Sequence, residues 1–122
     1  MLTIKAADEE RRLDYANTYG VADIQTQIMR DGDEEIGCVV YTMTPEELCI
    51  LSFNNTDPTL NDFLLRGILN IGWRRGVMIA TCKVDEVADF LKAEGFEEGE
   101  KGLQTEIAAF FAKPCRGCLS DS

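Results

Sequence analysis

Between Asp23 and Met29 the side chains alternate, with Ile24, Thr26 and Ile28 on one side and Gln25 and Gln27 on the other, the period of two that marks a half-buried strand. Gly37 to Met43, rich in β-branched and aromatic residues, predicts a second strand, and Leu48 to Phe53 a third. The runs between them, Asp31-Gly32-Asp33-Glu34-Glu35 and Thr44-Pro45-Glu46-Glu47, carry turn chemistry, so the three strands should form an antiparallel meander. Upstream, Leu2 to Lys5 reads as a short extended segment. Ala7 to Tyr19 reads as a helix, with Asp8, Glu9 and Glu10 at the positive end of its dipole and Gly20 as its stop.

Past Phe53 the period lengthens. Leu60, Phe63, Leu64, Gly67, Ile68 and Ile71 recur at helical spacing and make the stripe of an amphipathic helix packed on a sheet. Asp57 suits its N-cap, Pro58 its first position, and Gly76 follows the basic pair Arg74 and Arg75 at its end. Val77 to Cys82 is a nearly unbroken apolar run of strand length, as expected of a strand covered on both faces. Val84, Val87, Ala88 and Leu91 mark a shorter helix closed by Gly95. Phe96 to Glu98 and Leu103 to Ala112 read as a last hairpin around Gly99-Glu100-Lys101-Gly102. The helix joining Leu48–Phe53 to Val77–Cys82 is a crossover, which makes those two strands parallel in an otherwise antiparallel sheet. The expected fold class is therefore mixed α and β (α+β), one domain over residues 1–112 with an irregular tail over 113–122.

Charge narrows the partners. Of the 122 residues, 12 are basic and 22 acidic, a net charge of −10, and residues 1–62 hold 13 of the acidic groups against 4 basic. Such a surface repels polyanions, which argues against nucleic acid, and any anionic ligand is expected nearer the second half. No segment approaches the roughly 20 apolar residues of a membrane span, and the acidic run after Ala7 precedes any leader-like apolar stretch, so a cytoplasmic protein is expected. Histidine is absent, which removes Ser-His-Asp and Cys-His catalysis and every Cys/His zinc motif. The five cysteines are an odd count, and Cys38, Cys49 and Cys82 sit in strand-like runs, favouring reduced thiols.

With this element order, two local patterns resemble the GNAT superfamily of acyl-CoA-dependent N-acyltransferases, over about Leu2 to Ala112. One is the strand Leu48–Phe53 feeding a helix with Leu64-Leu65 and Trp73-Arg74-Arg75-Gly76; the other is the ending Phe90-Leu91-Lys92-Ala93-Glu94-Gly95-Phe96. The resemblance implies a GNAT-like, mainly antiparallel sheet with helices on both faces. In it the fourth and fifth strands splay apart and admit acetyl-CoA as cosubstrate, and a small-molecule amine or a protein is the acceptor. On that alignment the cofactor site would be lined by Ser52, Phe53, Asn54, Asn55, Thr56, Thr59 and Asn61.

The chain departs from the family at two places. Where members carry Gln or Arg and two small residues in a phosphate-binding loop, it has Thr56, Thr59 and Asn61, whose side chains stand where backbone N–H groups need close approach. Asp57 and Asp62 add negative charge at the helix end that a diphosphate would meet, and Arg66 is the nearest cation. Where members often place a proton-donating Tyr, four residues before Gly-Phe, it has Leu91. Glu46, Glu47 and Tyr41 remain as candidate bases or substrate contacts.

Cys115-Arg116-Gly117-Cys118 is a separate candidate. Two thiolates at this spacing can point at one metal or form a tight disulfide, and Arg116 favours the thiolate. With no histidine, zinc or iron at Cys115 and Cys118 would need two further thiolates, most simply from a second subunit. Three functions therefore compete: N-acetyl transfer from acetyl-CoA to an amine, a non-catalytic binding or homodimerisation module of the same fold with the apolar Ile107–Ala112 strand as its surface, and a metal or redox role for the CxxC tail.

Overall fold

The computed structural model describes residues 1–112. They form β1 (Leu2–Ala6), α1 (Glu9–Tyr19), β2 (Ile24–Asp31), β3 (Glu34–Met43), β4 (Glu47–Asn55), α2 (Asn61–Arg74), β5 (Ile79–Cys82), α3 (Ala88–Ala93), β6 (Glu97–Gly99), β7 (Gly102–Glu106) and α4 (Ile107–Ala112), with single 3₁₀ turns before α2 and α3. All seven strands join one sheet in the order β1-β2-β3-β4-β5-β7-β6. Every neighbouring pair is antiparallel except β4 and β5, which the α2 crossover makes parallel.

Local chemistry sets the element ends. The Asp8 carboxylate accepts the Arg11 N–H at the start of α1, and Gly20 closes that helix at φ 70°, a left-handed conformation that glycine adopts without a Cβ penalty. The sheet is covered on both faces. α1 packs Ala16 over Ile24, Ile28, Cys38 and Val40 on one side. On the other, α2, α3 and α4 cover Met29, Val39, Leu48, Ile50, Ala80 and Leu103. The buried stripe of α2 is Leu64, Leu65, Ile68, Leu69 and Gly72, while Phe63 is 44% exposed, so the face centres one position beyond the one its spacing suggests. Among the described residues no helix is long and apolar enough to cross a membrane.

One element differs in kind from its sequence reading. Leu103 to Ala112 is not a single strand: β7 ends at Glu106, and Ile107–Ala112 is the helix α4. Its apolar residues are consumed internally. Ile107 and Phe110 are buried under α2, and Phe111 meets Trp73 edge-on at 5.8 Å, so this segment is a core helix and not a strand offered to a second subunit. The run Ile-Ala-Ala-Phe-Phe-Ala has two apolar faces under either period, and its two alanines in succession favour the helix.

The splay that the resemblance implies is present and has a local cause. β5 pairs with β4 only from Glu47↔Ile79 to Ile50↔Cys82. At the next residue the β3–β4 register jumps, from Tyr41↔Ile50 to Val40↔Ser52, leaving Leu51 as an extra residue. A bulge bends the strand that carries it, so β4 leaves β5 at the point where it gains a residue. From Leu51 to Asn55, β4 has β3 on one side and no strand on the other.

Candidate functional site

The loop after β4 brings together the residues the alignment selected, and it turns them inward. The Thr56 N–H and hydroxyl both donate to the Ile36 carbonyl, at 2.8 and 3.2 Å. The Asp57 N–H donates to Asn55 Oδ1, and Asp57 Oδ1 accepts from both the N–H and the hydroxyl of Thr59. The Leu60 and Asn61 N–H groups close the 3₁₀ turn on the Asp57 and Pro58 carbonyls, and Pro58 has no N–H. Every backbone donor from residue 56 to 61 is thus engaged by the chain itself. Asn55 Nδ2 and Asn61 Oδ1 are buried without a partner among the described residues. On the strand, the Asn54 amide donates to Ser52 Oγ at 2.9 Å, while Phe53 is buried in the α2-side core against Phe90.

A diphosphate does not suit this loop. It would meet no ungripped backbone donor and two carboxylates, Asp57 and Asp62. Arg66, the nearest cation, is turned away: it pairs with Asp62 at 3.1 Å and stacks on the Phe110 ring. The thioester arm of the same molecule is another matter. A shallow cleft of about 290 Å³, lined by Cys49, Ile50, Leu51, Lys83, Val84, Asp85 and Glu86, opens between the diverging strands. The adjoining open edge of β4 can pair with the amides of an extended chain.

Along the same face of β4 lies the larger cleft, about 420 Å³, lined by Glu46, Glu47, Ile79, Thr81, Gly99, Glu100, Lys101 and Gln104. α1 covers β2, β3 and Leu51 but does not reach this end of the sheet. The Thr81 hydroxyl, on a residue 2% exposed, donates to Glu47 Oε2 at 2.5 Å, and Lys101 Nζ lies 3.3 Å from Glu47 Oε1. The Thr81 bond first, and Lys101 after it, hold the Glu47 carboxyl below its ordinary pKa, so it is an anion at neutral pH. Tyr41 is not part of this cleft. It is buried on the α2 side of the sheet, accepts a bond from the Gln27 amide, and burial raises its pKa.

Leu91 is fully buried in the α3 core, so no proton donor stands at the position where the resemblance implies a tyrosine. Gly95 at φ 109° and the buried Phe96 close that helix, as in the pattern that suggested the family. Thr81 and Lys101 escape a reading of the sequence alone: a threonine inside an apolar strand is the one clue to the first, and a turn lysine carries none. Of the thiols, Cys38 and Cys82 are buried and Cys49 lies at the mouth of the splay. Cys115 and Cys118 fall outside the described residues, among which no group of three metal-binding side chains occurs.

No protein-family model matches the chain, and no curated protein matches its sequence. Its shape does match solved structures. The ribosomal-protein-S18-alanine N-acetyltransferase of Escherichia coli superposes with a TM-score of 0.71 at 12% identity, covering 88% of this chain and 94% of that one. A GNAT family acetyltransferase of Elizabethkingia anophelis with acetyl-CoA bound gives 0.65 at 12%, covering 81% and 78%. Ard1 of Thermoplasma volcanium gives 0.61 at 14%, covering 86% and 94%. At such identities a likeness speaks to architecture alone, and with the bulged, splayed β4 and the parallel β4–β5 pair it makes this chain a divergent member of the GNAT fold.

Proposed function

We propose that the chain is an N-acetyltransferase that takes acetyl-CoA by its thioester arm alone and transfers the acetyl group to a primary amine seated at Glu47. The observation that carries this reading is the bulge at Leu51, which opens the β4 edge beside the splay cleft and on the same face as the Glu47 cleft. An ammonium drawn to the Glu47 carboxylate lies along the same strand as the opening where a thioester can add. Bound acetyl-CoA would supply an activated acyl carbon. The chain's own part is to pair the arm's amides along Leu51–Asn55, to hold the acceptor through Glu47, and to keep Glu47 ionised through Thr81. An amine held as its ammonium would give a proton to water before its nitrogen attacks the acyl carbon. Leu91, where a tyrosine would stand, has no proton to offer the thiolate that leaves as the C–S bond breaks, so that proton would come from water and slow turnover is expected.

The self-engaged loop at residues 56–61 favours a second reading, a binding module of this fold that has given up the cosubstrate. Isothermal titration separates the two. Saturable binding of acetyl-CoA supports transfer; no binding at millimolar acetyl-CoA supports the module.

A further inference from the structure

We infer that Lys101 is a built-in occupant of the amine site: its ammonium holds the position on Glu47 that an external aliphatic amine must take, so ligand amines bind this cleft by displacing it. The inference rests on the reading of the Glu47 cleft as the acceptor side, but it concerns the cleft alone and needs no acyl donor.

The two oxygens of the Glu47 carboxylate are treated differently by the fold. Oε2 is tied to the Thr81 hydroxyl, which stands on a strand residue 2% exposed, and this fixes the carboxylate's direction from beneath. Oε1 faces the cleft and meets the Lys101 Nζ at 3.3 Å. A carboxylate oriented by one buried donor and paired with one outer cation, with Lys83 acting on it at longer range, has the form of an ammonium receptor.

Lys101 is suited to be a removable occupant. It stands on the two-residue turn Glu100-Lys101 between β6 and β7, and its side chain is 67% exposed. Gly99 and Gly102 pair across that turn, and Gly102, at φ 102°, is packed so that a Cβ there would come 2.7 Å from the Cys82 carbonyl oxygen. The turn's base is therefore fixed on β5 while its tip, which carries Lys101, is exposed to solvent. An exposed ion pair of this kind is weak, and a ligand cation can compete with it.

The cleft is also larger and more acidic than its internal occupant requires. Its volume of about 420 Å³ exceeds one lysine head group, Ile79 and Gly99 offer apolar wall for an alkyl chain, and Glu46 and Glu100 add two more carboxylates. Once Lys101 leaves, three carboxylates line the space, and Lys83 acts on Glu47 only from outside that lining. The ligand class this fits is a primary aliphatic amine, with a diamine favoured because a second ammonium finds Glu46 or Glu100.

The test is calorimetric titration of the full chain with n-butylamine, 1,4-diaminobutane and, as the neutral isostere, 1-butanol, without acyl donor. Both amines should bind, the diamine more tightly, and the alcohol should not. Lys101→Gln should tighten amine binding by roughly twofold to fivefold, the range that an exposed ion pair corresponds to. Glu47→Gln should weaken it by about tenfold or more. Thr81→Val, isosteric but without the orienting hydroxyl, should weaken it with the circular-dichroism spectrum unchanged. Unchanged amine affinity in Lys101→Gln, amine binding that survives Glu47→Gln, or 1-butanol binding as well as n-butylamine would each overturn the inference. Because no thioester enters the experiment, its failure leaves donor binding at the splay untouched.

Discussion

At the scale of single residues, Glu47 is the position where the fold's chemistry concentrates, and its consequences are measurable without any ligand. The Thr81 hydroxyl lowers its folded pKa below the ordinary 4.5, so the pair stabilises the fold above that pH and the contribution disappears as acidification passes the lowered value. Urea unfolding of wild type and Thr81→Val should therefore differ at neutral pH and converge in acid, once the pH falls below the lowered pKa. A gap that stays constant across that range would mean that the hydroxyl acts through packing and not through the carboxylate. The thiols give a second check. Burial raises the Cys82 pKa and Cys38 is covered by α1, whereas Cys49 faces the splay. Peptide mapping after brief iodoacetamide treatment should find Cys49 alkylated well before Cys38 and Cys82.

Glu47 and Lys101 also show where sequence reading stops. Glu47 is visible as a carboxylate at a turn, but a solvated turn explains it equally well; only the parallel register that sets Ile79 and Thr81 beside β4 shows that a buried hydroxyl orients it. Lys101 and Glu47 are 54 positions apart, and no periodicity links them.

At the scale of elements, the pattern of hydrophobic positions was enough for the meander, the α2 crossover and the parallel β4–β5 pair, because each depends on a period or on a connection length. It failed at Ile107–Ala112, where a six-residue apolar run satisfies both periods and burial against α2 decides. The bulge at Leu51 was equally out of reach, since it is a mismatch between two strands and neither strand shows it alone. Two substitutions probe element ends. Gly102→Ala forces a side chain into a positive-φ position against the Cys82 carbonyl and should cost about 1–3 kcal/mol in urea unfolding. Asp57→Ala removes the side chain that caps the 3₁₀ turn and should cost about 0.5–2 kcal/mol. It also releases the Thr59 N–H and deletes a carboxylate, so the same variant should bind acetyl-CoA more tightly than wild type does. Weaker binding in that variant would show that the Asp57 turn is part of the grip.

At the scale of the whole molecule, the architecture is shared with the acetyltransferases it superposes on, while the loop after β4 is a self-sufficient helix start. The acidic bulk points the same way: a net charge of −10 opposes a nucleotide diphosphate, and it favours cations over anions at the cleft lined by Glu46, Glu47 and Glu100. The fold therefore keeps the opening in the sheet, while the loop after β4 engages its own backbone donors.

The most direct measurement is the ratio of two dissociation constants, for acetyl-CoA and for S-acetyl-pantetheine, which has the same thioester arm without the diphosphate and nucleotide. If the arm alone is held, both bind saturably and their constants agree within about threefold, under 1 kcal/mol. Acetyl-CoA binding tighter by tenfold or more would place a diphosphate grip in the chain and contradict the account, and so would the failure of both to bind.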